Sequence, residues 1–421
     1  MRVSRAGVDA MAMPEQGRDW SELAQTMREA GASDVAWRQG KAAVYVFNAG
    51  EDVSTVQREA YTLYLAENGL GPAAFPSLKQ MEQDVIDMAL ALLGAPEGAG
   101  GAMTSGGTDS ITMAIKAARD WARAEGKPEP FNLVMPQSAH LAFDKAAAMM
   151  DLEIRRVPMA QYLADVNAMR ALVDERTLML VGSAPSFPFG LIDPIEALSE
   201  LATETGVWLH VDACVGGYIA PFAKQLGEPI PAFDFSLEGV RSISADLHKY
   251  GYAAKGASTI LFREADLLSH MAFDFDCWPA GRMVTPTLAG TRPGGAIAAA
   301  WAVMHYLGQA GYREKQRQVL TARRQIAEGV QALGFEVIGE PQLGIIAFTH
   351  PSADVFAMYR TLYRKGWVTS ACTSPPALHL MLSPIHVGVT DQYLTDLEAA
   401  LQLAGEVKST SSADAGEIRY S

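Results

Sequence analysis

SISADLHKYGYAAKG, residues 242–256, runs from small alternating residues into a histidine and a lysine, His248 and Lys249. The alternation reads as a strand, and the glycines and tyrosines that follow read as a turn packed against a pocket. A single lysine in a loop is ordinarily solvated. One drawn into a semi-dry site loses basicity and can form a Schiff base with a carbonyl. The stretch carries one acid, Asp246.

Upstream, helices and short apolar strands alternate. ITMAIKAARDWARA (111–124) reads as a helix and FNLVMP (131–136) as a buried strand. LAFDKAAAMM (141–150) and EIRRVPM (153–159) repeat the pair. TLMLVGSAP (177–185) is another buried strand, PIEALSELATETG (194–206) a helix, and VWLHVDA (207–213) a strand. Continuously apolar strands between helices need a parallel sheet covered on both faces. Functional side chains then collect at the carboxyl ends of the strands. Before this α/β region, SLKQMEQDVIDMALALLG (77–94) puts Leu78, Met81, Val85, Met88 and Leu92 near one helical face. A glycine-rich break covers 94–107. After residue 290 a long helical stretch, 295–334, leads into a smaller α+β pattern. The expected division is an N-terminal arm at 1–50, with AVYVF (43–47) as its one strand-like piece, a large domain at 51–290, a small C-terminal domain at 291–405 and a disordered tail at 406–421.

The chain has 421 residues, enough for two packed domains, and a formal net charge of −14. That charge speaks against a general nucleic-acid binder. Cys214, Cys277 and Cys372 form neither a CxxC pair nor a disulfide framework, which points to a reducing, cytoplasmic compartment. No run approaches the roughly 20 apolar residues of a membrane span, and the first residues lack a signal peptide's apolar region.

Four features carry chemistry. TSGGTDS (104–110) places Ser105, Gly106, Gly107 and Thr108 at a helix start, where unpaired N–H groups suit a phosphate or simply a cap. His140 follows the strand 131–136 and can stack on a flat ligand, act as an acid or base, or close a helix terminus. Asp212 ends the strand 207–213, where a carboxylate caps a turn or meets a cation. Lys249 closes the set. A phosphate cradle, a histidine, a strand-end aspartate and a lysine at successive strand-to-helix junctions match what pyridoxal 5′-phosphate requires.

The chain resembles the pyridoxal-phosphate group II decarboxylase superfamily, and within it the sphingosine-1-phosphate lyase branch. TSGGTDS, AHLAFDKAA (139–147), HVDACVGGY (210–218), SISADLHKYGYAAKG, LAGTRPGG (288–295) and GWVTSACTSPPALHLMLSPIH (366–386) follow the family order. The resemblance implies a type I fold of pyridoxal-phosphate enzymes, with a mostly parallel seven-stranded sheet, and a homodimer with active sites at the subunit interface. It implies that Lys249 carries the cofactor as a Schiff base, that Asp212 pairs with its ring nitrogen and that His140 stacks on its ring. Ser105, Gly106, Gly107, Thr108 and His248 would hold the phosphate, with Gly290 and Thr291 reaching it from the partner subunit. Lys255 and Tyr45 correspond to active-site residues of the lyase branch. Lys249 is therefore expected to take its electrostatic context from Asp212, through the cofactor, and not from Asp246. One departure stands out: Gly71, in NGLGPAAFPSL (68–78), occupies a position where the lyase branch has histidine.

The implied activity is carbon–carbon cleavage of a small amine substrate. Retro-aldol cleavage of a phosphorylated sphingoid base, or a related 2-amino-3-hydroxy compound, comes first and amino-acid decarboxylation second. SACTS (370–374) also resembles the cysteine loop of desulfurases, and a non-catalytic cofactor-binding protein is the reading from another class.

Overall fold

The computed structural model describes residues 13–406. The polar segment 407–421 and the first twelve residues lie outside that range. Seven strands form the central sheet: β1 Gly100–Thr104, β2 Asn132–Pro136, β3 Glu153–Val157, β4 Thr177–Ser183, β5 Trp208–Asp212, β6 Val240–Ala245 and β7 Ser258–Phe262. Their order is β1-β7-β6-β5-β4-β2-β3. Pairings from β3 through β6 are parallel, and β7 runs antiparallel to both neighbours. The central strands β2, β4 and β5 are buried along their whole length, as continuous apolar runs demand.

The glycine-rich break hides β1. Glycine lowers strand propensity, so nothing in GGAMT announces a strand. The contact explains the choice: a Cβ on Gly101 would sit 2.7 Å from the Ile260 carbonyl oxygen. AVYVF errs the other way. Tyr45 has φ 64°, which breaks the extended run, and only Ala42 forms a bridge there, to Val368. The segment is nevertheless tied down. Ala43 donates its N–H to the Val368 carbonyl and accepts from Met381, which lays the arm over a second, antiparallel sheet.

That sheet contains β8 Glu336–Val337, β9 Ile345–Thr349, β10 Ser370–Thr373 and β11 Pro376–Met381, in the order β8-β9-β11-β10. The helices that matter to the site are α1 Glu51–Leu63, α2 Pro76–Leu92, α3 Gly107–Ala124, α4 Ala142–Met150 and α5 Ile195–Thr205. Then come the long α6 Gly294–Ala332 and, on the small sheet, α7 Val355–Arg364 and α8 Thr390–Glu406. In α2, Leu78 and Val85 are buried on the face their spacing predicts. The long helical stretch expected at 295–334 forms, and it bends at Gly308, whose φ of 52° and ψ of −175° suit a residue without a Cβ. The first part of α6 packs on α1 and α2, and its later part reaches the small sheet.

Among the described residues no helix is long and apolar enough to cross a membrane. Burial also sets an acid limit on stability. His210, His379 and His386 have their pKa values lowered to about 4 by burial. Unfolding returns each imidazole to about 6.5. The unfolded chain therefore binds more protons between those values, so this stability is complete above about pH 6.5 and is lost as pH falls toward 4. The effect is about 3 kcal/mol per histidine. Thermal unfolding midpoints are expected to drop steeply from pH 6.5 to 4.5. A flat profile would show that these rings are not held neutral.

Candidate active site

The register of the parallel strands brings the site together. Ser183 on β4 pairs with Asp212 on β5, and Asp212 pairs with Ser244 on β6, so three polar side chains end in a row. The start of α3 lies across this row, because β1 leads directly into it. A cavity of about 440 Å³ opens here. Ser105, Gly106, Gly107 and Thr108 line one wall, and Asp212, His140, His248 and Lys249 are among the residues that line the others. Eight of the residues expected from the sequence thus share one space, from four separate strand ends.

Each has a local reason for its place. The loop before α3 is tied by Asp109, whose Oδ2 accepts the Ser105 N–H at 3.0 Å and the Ser105 hydroxyl at 3.0 Å. The backbone approach is close: a Cβ on Gly107 would lie 2.8 Å from Cys214 Sγ and 2.9 Å from Asp246 Oδ2. His140 Nδ1 accepts the Ala142 N–H at 3.1 Å. Burial lowers the His140 pKa although Asp212 opposes it, so the ring is neutral and carries its proton on Nε2. Asp212 Oδ1 accepts the Cys214 N–H at 3.0 Å. Among the described residues no lysine or arginine forms an ion pair with it.

Asp246 changes the expected picture of Lys249. Lys249 Nζ lies 3.0 Å from Asp246 Oδ2, and His248 Nε2 lies 3.7 Å from the same oxygen. Burial alone would make the lysine less basic. The buried carboxylate overrides that and holds Lys249 as an ammonium above lysine's ordinary range. Asp246 in turn sits below the usual carboxylate range, because Lys249 and His248 outweigh its own desolvation. The expectations that Lys249 loses basicity and that Asp246 does not set its environment both fail, for one geometric reason. A residue three positions before the lysine at a strand-end turn folds back onto it. Asp246→Asn is expected to let burial win and free the amine at neutral pH. Covalent capture of added cofactor at pH 7, followed by its visible band, should then accelerate on the order of tenfold. Slower capture would show that the pair does not control the amine.

Four expected residues lie outside the cavity wall. Lys255 Nζ donates to the Tyr45 carbonyl at 2.9 Å and to the His248 carbonyl at 3.4 Å. Loss of hydration and repulsion from Lys249 lower its pKa to about 8. Tyr45 is half-exposed beside it. Gly290 lines a separate hollow of about 260 Å³ with Arg292 and Asn68, and Thr291 is exposed. Asp109, Cys214 and Ser244 belong to the site and were not singled out. Only their positions next to the motif residues could have pointed to them.

Comparison with known proteins fits this geometry. Residues 4–350 match the model of the pyridoxal-dependent decarboxylase conserved domain. The chain belongs to that family. It is 41% identical over 380 residues to a sphingosine-1-phosphate lyase of Oryza sativa, covering 87% of this chain and 70% of that one. It is 38% identical over 328 residues to a probable L-tyrosine/L-aspartate decarboxylase of Methanothermobacter thermautotrophicus, covering 78% of this chain and 88% of that one. The solved structure of a Burkholderia pseudomallei sphingosine-1-phosphate lyase superposes with a TM-score of 0.90 at 36% identity, over 93% of both chains.

The chain is a pyridoxal 5′-phosphate-dependent lyase, and its residues fit that cofactor. The cavity is of the size small-molecule sites occupy. His248 Nδ1 is buried without a hydrogen-bond partner among the described residues, as is Asp109 Oδ1. The start of α3 supplies the positive end of an 18-residue helix.

Cys372 does not fit a desulfurase. Burial pushes its thiol up to about 12, and Sγ donates to the Pro188 carbonyl at 3.1 Å. A thiol in that state is a poor nucleophile. Cys372→Ala is expected to keep activity within about twofold, with no sulfide released from cysteine by either protein. Sulfide release that this change abolishes would reverse the conclusion.

Proposed function

We propose that this enzyme cleaves the Cα–Cβ bond of a phosphorylated sphingoid base or related 2-amino-3-hydroxy compound, leaving an aldehyde and an amine. The likeness to the Burkholderia lyase over 93% of both chains is the observation that carries it. Bound cofactor supplies an electron sink for the bond that breaks. Lys249 would hold the cofactor covalently and, once released by the substrate amine, would stand as a neutral amine beside Asp246. Ser105, Gly106, Gly107, Thr108 and His248 hold the phosphate, and Asp212 faces the ring nitrogen. His140, on the cavity wall, would cover the ring. The neutral Lys249 amine takes the substrate hydroxyl proton and becomes the ammonium that pairs with Asp246, while the O–H electron pair becomes the second carbon–oxygen bond of the aldehyde as the Cα–Cβ bond breaks.

The same proposal includes the division at 51–290 and 291–405, a cytoplasmic location and a homodimer in which Gly290 and Thr291 serve the partner's site. The exposed apolar side chains of Phe273, Trp278 and Leu288 support association. Gly71 lies beside the hollow that holds Gly290, and a Cβ there would meet only Ala74 Cβ, at 3.8 Å. A histidine's absence is therefore not forced by crowding at that Cβ.

The test is product analysis with phosphorylated sphingoid bases, 3-hydroxy amino acids, and tyrosine and aspartate. Aldehyde without carbon dioxide is expected. Carbon dioxide alone would favour the decarboxylase reading, which the 38% identity to the Methanothermobacter protein keeps in view.

A further inference from the structure

Asp212 is the end of a buried chain of polar groups. We propose that Trp208, Ser242, His210 and Ser244 form a hydrogen-bond relay that orients the Asp212 carboxylate toward the cofactor's ring nitrogen. His210 is then a positioning residue. The inference rests on the reading that Asp212 faces that nitrogen.

The period of a strand puts Trp208, His210 and Asp212 on one face of β5. Across the ladder, His210 pairs with Ser242 and Asp212 with Ser244. The side chains meet in that order. Trp208 Nε1 donates to Ser242 Oγ at 2.8 Å, and Ser242 Oγ lies 2.8 Å from His210 Nδ1. His210 Nε2 lies 3.2 Å from Ser244 Oγ, and Ser244 Oγ donates to Asp212 Oδ1 at 3.4 Å. Trp208, Ser242, His210 and Ser244 are all fully buried.

Donor chemistry fixes the direction. The indole N–H only donates, so Ser242 Oγ accepts it. The Ser242 proton then has one acceptor among the described residues, His210 Nδ1. The neutral ring must carry its proton on Nε2 and give it to Ser244 Oγ. Ser244 also accepts from Cys214 Sγ at 3.3 Å, which leaves its own proton for Asp212. The opposite direction would strand the Ser242 proton in the core and turn the Ser244 proton away from a carboxylate that can only accept. Each stranded group costs more than a satisfied one gains. Burial keeps His210 neutral despite Asp212, as a relay requires.

The relay also selects an oxygen. Both donors to Asp212, the Cys214 N–H and the Ser244 hydroxyl, reach Oδ1. Oδ2 is left for the cavity. Two donors fixed on one oxygen set the rotation of the carboxylate, and with it the direction in which the other oxygen points. A buried histidine between two serines in a central strand would otherwise be an expensive substitute for an apolar side chain.

The test needs no substrate. Apo protein is titrated with pyridoxal 5′-phosphate, followed by intrinsic fluorescence and by the visible band. Ser244→Ala is expected to weaken binding about tenfold, the scale of one hydrogen bond to a charged group. Ser244→Thr keeps the hydroxyl and should restore affinity to within about twofold. His210→Gln should match Ser244→Ala, and the double variant should be no weaker than either, because the groups act as one unit. In protein labelled with ¹⁵N-histidine, cofactor addition should shift the His210 Nε2–H resonance in the wild type but not in Ser244→Ala. Unchanged affinity in Ser244→Ala, fully additive losses, or a resonance that responds equally in both proteins would overturn the relay. If His210→Gln does not fold, the alanine and threonine variants at Ser244 still decide. Wild-type cofactor affinity in Asp212→Asn would instead sink the reading of Asp212 itself, a separate result.

Discussion

Lys249→Ala is expected to abolish covalent cofactor attachment and to lower turnover by about 10,000-fold or more, the scale on which removal of a reacting group is felt. The visible band of the Schiff base should be lost, while the cofactor still binds through the phosphate wall and Asp212. The loss should not be rescued from within the chain. Lys255 is the nearest other amine in the sequence, but its Nζ is held by the Tyr45 and His248 carbonyls. Asp246 makes the result sharper. Without the ammonium at 3.0 Å, its buried carboxylate loses its strongest partner and its pKa must rise. Stability should therefore fall modestly at neutral pH even though the side chain is trimmed at a cavity wall. Absorbance after borohydride reduction, which traps any Schiff base, is the direct readout. Retained covalent cofactor with residual activity in this variant would move the reacting lysine elsewhere and undo the site.

Much of this was legible because the sheet reports itself in sequence. FNLVMP, TLMLVGS and WLHVD are continuous apolar runs, and such runs are what strands covered on both faces require. Their carboxyl ends then locate His140, Asp212 and Lys249 without any knowledge of tertiary contacts. What stayed hidden depends on contacts between segments. GGAMT looks like a loop because the tight approach of β7 excludes side chains, and that neighbour begins 154 residues after Thr104. Asp246 looked incidental because a helix-like turn places it on Lys249, and the turn itself is set by β6 ending at Ala245. Ser244 looked like an alternating small residue. Its value comes from pairing with Asp212 across a ladder. Tyr45 and Lys255 lie 210 positions apart, and only the path of the arm over the second sheet brings them together.

Asp212→Asn is expected to cost about 100- to 1,000-fold in turnover with little loss of fold, the scale found when one preorganised charge partner is removed. The amide can keep the Cys214 N–H and the Ser244 hydroxyl on its oxygen, so the backbone at the end of β5 stays satisfied. That orientation places the amide nitrogen where Oδ2 stood. A donor then faces the position that calls for an acceptor, and the negative charge is gone. The phosphate wall and Lys249 are untouched, so cofactor affinity should fall only about tenfold, while turnover falls much further. The difference between the two losses is the measurement that matters. Equal losses would mean that Asp212 merely anchors the cofactor. A loss under about threefold in both would mean that the carboxylate does not face the ring, and the relay behind it would have nothing to orient.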